Sequence, residues 1–116
     1  MALISVRRSW ARLAVVVGLT LVGCDDDPAG PSQTGSVTVR DFEFDPESIV
    51  VAPGASVTWT WNGSANHDVT FDSPSISDSP LQASGTFSTT MPMTPGTYTY
   101  HCSVHPVAMT GLVEVQ

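Results

Sequence analysis

From Ser36 onward, apolar and polar residues alternate with a period of two, and that pattern admits strands and little else. Val37 and Val39 alternate with Ser36, Thr38 and Arg40. Phe42 and Phe44 alternate with Asp41, Glu43 and Asp45, and Ser48–Val51 follows Pro46. Val57, Trp59 and Trp61 alternate with Thr58 and Thr60. His67–Phe71, Thr86–Thr90, Thr97–Cys102 and Gly111–Val115 read as further strands. Turn chemistry separates them: Pro53-Gly54, Asn62-Gly63, the run Ser73–Pro80, and Pro95-Gly96. No segment after residue 35 has helical periodicity, and there is no internal repeat. The expectation is an all-β sandwich or barrel of about seven to eight strands.

The N-terminal segment has a different character. Residues 1–12 carry Arg7, Arg8 and Arg12 and no acid, and Leu13–Gly23 is an apolar run. That run falls short of the roughly 20 apolar residues a bilayer span needs. A basic start followed by a short apolar run reads as an export signal. Leu21-Val22-Gly23-Cys24 resembles the lipobox of bacterial lipoproteins, in which the cysteine is lipidated and becomes the first residue of the mature chain. Residues 1–23 are therefore expected to be a lipoprotein signal peptide, and Cys24 a lipid anchor on the extracytoplasmic side of a bacterial membrane. Residues 24–35, acidic and then Pro/Gly/Ser-rich, read as a disordered tether. Residues 36–116 form the one folded domain.

Removal of residues 1–23 leaves Arg40 as the sole basic residue against eleven Asp and Glu, a formal charge of −10. Nucleic acid is thereby excluded as a partner, because phosphate contacts need Lys and Arg. A basic or neutral partner is favoured. If Cys24 carries lipid, Cys102 has no disulfide partner in the chain. An unpaired thiol in an oxidising compartment needs to be buried or bound. A domain of roughly 80 residues also buries only about 60–65% of its unfolded surface, and small exported domains commonly add a disulfide or a metal. With a disulfide unavailable, a metal fits both needs.

The donors for it are present. Cys102, His105 and Met109 stand in a Cys-x2-His-x3-Met run between two strands, and His67 begins a strand far away in sequence. Strand ends at one pole of a sandwich converge, so His67 can reach that loop. Each residue alone has an ordinary explanation, as a small buried hydrophobe, a surface histidine or core filling. Together they make a thiolate, two imidazoles and a thioether. That soft set favours copper over calcium or magnesium, and it is the set used for electron transfer by copper. Zinc gains little from a thioether, and a structural zinc site would more usually show two or more cysteines.

These segments resemble the cupredoxins, and within them the plastocyanin, pseudoazurin, amicyanin and halocyanin group. The resemblance spans Ser36–Gln116. It rests on Phe44-Asp45-Pro46, Ile49-Val50-Val51, Pro53-Gly54 and Val57-Thr58-Trp59, on His67-Asp68-Val69, and on Pro95-Gly96-Thr97-Tyr98-Thr99-Tyr100-His101-Cys102. It implies a Greek-key sandwich holding one copper ion that cycles between Cu(II) and Cu(I), with each ligand histidine coordinating through Nδ1. Asp68 stands where the family often has Asn. It is expected to brace the ligand loop, with Ser103 as its partner, and a charge so near the copper would favour the oxidised metal. Alternation places Tyr98, Tyr100 and Cys102 on one strand face and His101 on the other, facing outward, where it is a candidate for an electron path. Met91 and Met93, which precede the Pro95-Gly96 turn, read as core or surface rather than ligands. His105 should be the ligand nearest solvent, with Pro106, Val107 and Ala108 forming an apolar docking patch around it.

The function expected is one-electron transport at the cell envelope by a monomer, with a cytochrome or membrane oxidoreductase as redox partner. Three histidines are too few for a trinuclear copper cluster, and there is no nucleophile–base pair or open metal position, so the chain reads as a non-enzyme. An envelope protein that stores or delivers copper, and a metal-free binding module, are the competing readings.

Overall fold

The computed structural model describes residues 31–116. The segments expected to be a signal peptide (1–23), a lipid-bearing Cys24 and the tether as far as residue 30 lie outside the described residues. Seven strands follow in order: β1 Ser32–Arg40, β2 Glu43–Asp45, β3 Ser48–Trp61, β4 Thr70–Phe71, β5 Thr86–Thr90, β6 Gly96–His101 and β7 Thr110–Val115. The architecture is an all-β sandwich, mixed in strand direction, with sheet order β2-β1-β3-β7-β6-β4 and β5 against β3.

β3 organises it. Its first part, Ser48–Val51, runs parallel to β7. Its second part, from Ser56, runs parallel to β1 and antiparallel to β5. Pro53-Gly54 therefore does not reverse the chain as the sequence suggested. It bends a continuous strand, with Gly54 at a φ of 76° and its N–H donated to the Pro92 carbonyl. β1 also begins earlier than expected. Ser32–Gly35 belong to it rather than to the tether, because Thr34 and Gly35 pair with Ser56 and Val57.

The strand expected over His67–Phe71 is reduced to Thr70–Phe71. The 72–85 loop lies alongside and takes over the backbone groups that a neighbouring strand would satisfy. His67 exchanges both backbone hydrogen bonds with Gln82, Val69 N–H donates to Ser79 Oγ, and Phe71 N–H donates to Asp78 Oδ1. Side-chain acceptors competing for a ladder in this way shorten strands.

The core is built from the inward positions of every layer. Val37, Val57, Trp59, Val69, Tyr100 and Val113 are almost wholly buried, as is Met91, while Met93 is exposed. Trp59 stands edge-on to Tyr100 and Phe71, with ring centroids 5.4 and 5.7 Å away. Gly111 is required by this packing. A Cβ there would come within 2.5–2.9 Å of the Tyr100 ring. Trp59 Nε1 and Tyr100 Oη are buried without a hydrogen-bond partner among the described residues.

Burial pushes the Tyr100 phenol up from 10.0 to about 12. Between those values the unfolded chain gives up a proton that the folded chain keeps, so stability is fully present below pH 10 and falls as pH rises toward 12. Denaturant midpoints measured across that window should decline. Tyr100→Phe should flatten the decline, and an equal decline in that variant would contradict the assignment.

Candidate metal centre

The loop between β6 and β7 carries three of the four donors expected from the sequence. Its backbone closes on itself: His105 N–H donates to the Cys102 carbonyl, Met109 N–H to the His105 carbonyl, and Cys102 N–H to the Met109 carbonyl. These bonds fix the loop without help from a metal. Cys102 and Met109 are fully buried, and Cys102 is a free thiol. His105 is half-buried, on the solvent side.

His67 arrives from the segment before β4. Its ring is fully buried, and its carbonyl accepts the indole N–H of Trp61 at 3.0 Å. Cys102 Sγ lies 3.8 Å from His67 Nδ1 and 3.7 Å from His105 Nδ1. All three donor atoms lie within 4.8 Å of one another. With a metal–sulfur distance of about 2.3 Å and metal–nitrogen near 2.0 Å, a sulfur and a nitrogen sharing one ion stand about 3.7 Å apart. The two sulfur–nitrogen spacings agree with that value, and both histidines turn Nδ1 toward the sulfur. His67, Cys102, His105 and Met109 are positioned to bind a metal ion, as in blue copper proteins. The set fits copper: one cysteine sulfur, two imidazoles and a thioether, with Cys102, His67 and Met109 buried.

Asp68 is almost wholly buried beside the loop. Its carboxylate accepts the Ser103 amide at 2.7 Å and the Ser103 hydroxyl at 2.5 Å, with Thr70 Oγ1 at 3.3 Å. These bonds tie the His67 segment to the Cys102 loop. His101 is not brought to the centre. It points away from the core and is pinned by Asp72, Nδ1 to Oδ1 at 3.1 Å, while Thr99 donates to the other Asp72 oxygen. Pro106, Val107 and Ala108 are exposed beside His105, Val107 almost completely, and Val104 is half-exposed next to them.

Two contributors were not singled out from the sequence. Phe42, in the two-residue turn between β1 and β2, has φ of 70° and an exposed ring. That ring sits edge-on to His105 and His67, with centroids 4.9 and 5.8 Å away. Asp41 precedes it, and its Oδ1 lies 3.1 Å from His67 Nε2, within hydrogen-bond distance. The Asp41 carboxyl is held well below the usual carboxylate range by the Ala65 amide, then by the Ser64 amide and by His67. No local signal marks either residue, since Asp41 and His67 are 26 positions apart.

Residues 32–116 match the family of copper binding proteins described as plastocyanin/azurin. A plastocyanin of Dryopteris crassirhizoma is 31% identical over 94 residues, covering 67% of this chain and 92% of that protein. Amicyanin-alpha of Methylorubrum extorquens is 27% identical over 113 residues, 93% of this chain and 91% of its own. The solved structure of a purple cupredoxin from Nitrosopumilus maritimus shares the fold, with a TM-score of 0.63 at 23% identity over 71% of this chain and 99% of that one. The fold, the donor spacing and this match converge, and the chain belongs to the plastocyanin/azurin family of copper-binding proteins.

Proposed function

We propose that this protein is a blue copper carrier that moves one electron at a time at the cell envelope, tethered by lipid on Cys24. The observation that supports it most is the Cys102 sulfur, fully buried, with the Nδ1 atoms of His67 and His105 at 3.8 and 3.7 Å. Copper, when bound, supplies a one-electron couple. The chain supplies the rest. The loop bonds and the Asp68–Ser103 brace hold the donors in one arrangement, so little has to move when charge changes. Burial of Cys102, His67 and Met109 keeps water out. His105 offers the short way to the surface, through an apolar patch of Pro106, Val107 and Ala108. His101, tied to Asp72, offers a second exit for the electron on another face. The acidic mature domain favours a redox partner with a basic surface, a cytochrome or a membrane oxidoreductase, met by a monomer in transient encounters.

Titration of the purified protein with Cu(II) is expected to give an intense visible band saturating at one ion per chain, and a reversible one-electron wave. Absence of the band would sink the proposal. A band without reversible reduction, or without exchange with a cytochrome, would favour copper storage or delivery. Labelled fatty acid should enter the wild type and not Cys24→Ala.

A further inference from the structure

Asp41 makes more bonds than a turn requires, and all of them converge behind one ligand. Oδ1 accepts the Ala65 amide at 3.0 Å, the Ser64 amide at 3.1 Å and His67 Nε2 at 3.1 Å. Oδ2 accepts the Ser64 hydroxyl at 3.0 Å. The carboxylate is thus locked in place before it meets the imidazole. Position 63 is kept clear for it, since a Cβ on Gly63 would collide with Asp41 Oδ1. The neighbouring Phe42 holds a positive φ that a bulky residue adopts only under tertiary constraint, and its ring covers His105. One two-residue turn therefore addresses both imidazoles from outside.

The chemistry follows from donor and acceptor counts. An ionised carboxylate only accepts, so His67 Nε2 must carry the proton. A neutral imidazole has one N–H, which leaves Nδ1 bare on the side facing Cys102 Sγ. The same hydrogen bond pushes electron density into the ring and makes Nδ1 a stronger donor, which favours the more highly charged metal.

We propose that Asp41 is a positioning residue that selects the metal-binding tautomer of His67 and lowers the copper potential through the His67 ring. The potential rests on the copper reading above, whereas the tautomer does not.

Two measurements separate them. In the metal-free protein at alkaline pH, nitrogen-detected NMR should find His67 as a single Nε2–H tautomer whose proton exchanges slowly, and Asp41→Ala should lose that selection. An Nδ1–H tautomer in the wild type overturns the proposal even if no variant folds, and so does an unchanged tautomer in Asp41→Ala. In the copper-loaded protein, Asp41→Asn should keep the visible band while the preference for Cu(II) over Cu(I) falls about tenfold, a rise of about 59 mV for a one-electron couple. Glu43→Gln removes the same charge from a residue whose ion pair is with Arg40, and should change the preference less than about threefold at physiological salt. Equal shifts in the two variants would reduce Asp41 to a distant charge and overturn its role through the ring.

Discussion

Cys102→Ser is expected to lose the intense visible band completely and to weaken Cu(II) binding by more than roughly 100-fold, the upper range for losing a mere supporting contact. The band requires charge transfer from a thiolate, and Cys102 is the one cysteine among the described residues. The variant should still fold. The loop is closed by three backbone hydrogen bonds that do not involve sulfur. A hydroxyl at the same place is too far for a bond to imidazoles that stand 3.8 and 3.7 Å from the sulfur. A buried hydroxyl left unpaired costs about 1–3 kcal/mol. Absorbance titration and circular dichroism on one sample separate the two effects. Survival of the band in Cys102→Ser would remove the thiolate from the centre.

Trp59→Ala carries the largest expected loss of stability, about 3–5 kcal/mol. Folded domains have only about 5–15 kcal/mol in total, and small ones sit low in that range. The indole touches aromatic rings from three strands or their ends, Tyr100, Phe71 and Phe87. Tyr100 lies two residues before Cys102, so the cavity opens directly beneath the ligand loop. Denaturant unfolding should show a greatly reduced midpoint, together with weaker copper retention. Trp59→Phe keeps an aromatic ring and deletes an N–H that has no partner among the described residues, so it should cost far less. Equal losses in the two variants would contradict this account of the core.

The sequence made most of the centre legible because three of its donors share one short loop. Covalent spacing alone brings Cys102, His105 and Met109 together, and a strand on each side fixes where the loop sits. His67 was reachable by the rule that strand ends converge at a pole. Asp41 and Phe42 were not. Their roles depend on where the β1–β2 turn comes to rest against a segment of distant sequence. Phe42 even disguised the turn, because Phe42 and Phe44 alternate as in a strand while the backbone reverses at Phe42. Pro53-Gly54 misled for the opposite reason. Its turn chemistry is real, but Gly54 uses its conformational freedom for a bend, and the tertiary bond to Pro92 keeps the strand running. The shortened strand after His67 was hidden because Ser79 and Asp78, polar residues in an irregular loop, act as ladder partners through their side chains.

The pairing of β3 with β7 also sets an order of events during synthesis. Ser48 pairs with Leu112, and Val51 with Val115. A chain emerging from its N-terminus can form the β1–β2 hairpin and set β1 beside β3 early, with His67 soon after. Cys102 and His105 follow, but the loop holding them is anchored on its far side by β7 alone. The His67 segment meets the strand leading into Cys102 through β4 and β6, Thr70 pairing with His101 and Phe71 with Tyr100, but the far side of the ligand loop is placed only when β7 docks. Completion of the donor set is therefore an event of the finished chain, because Met109 directly precedes β7 and is set in place only with it.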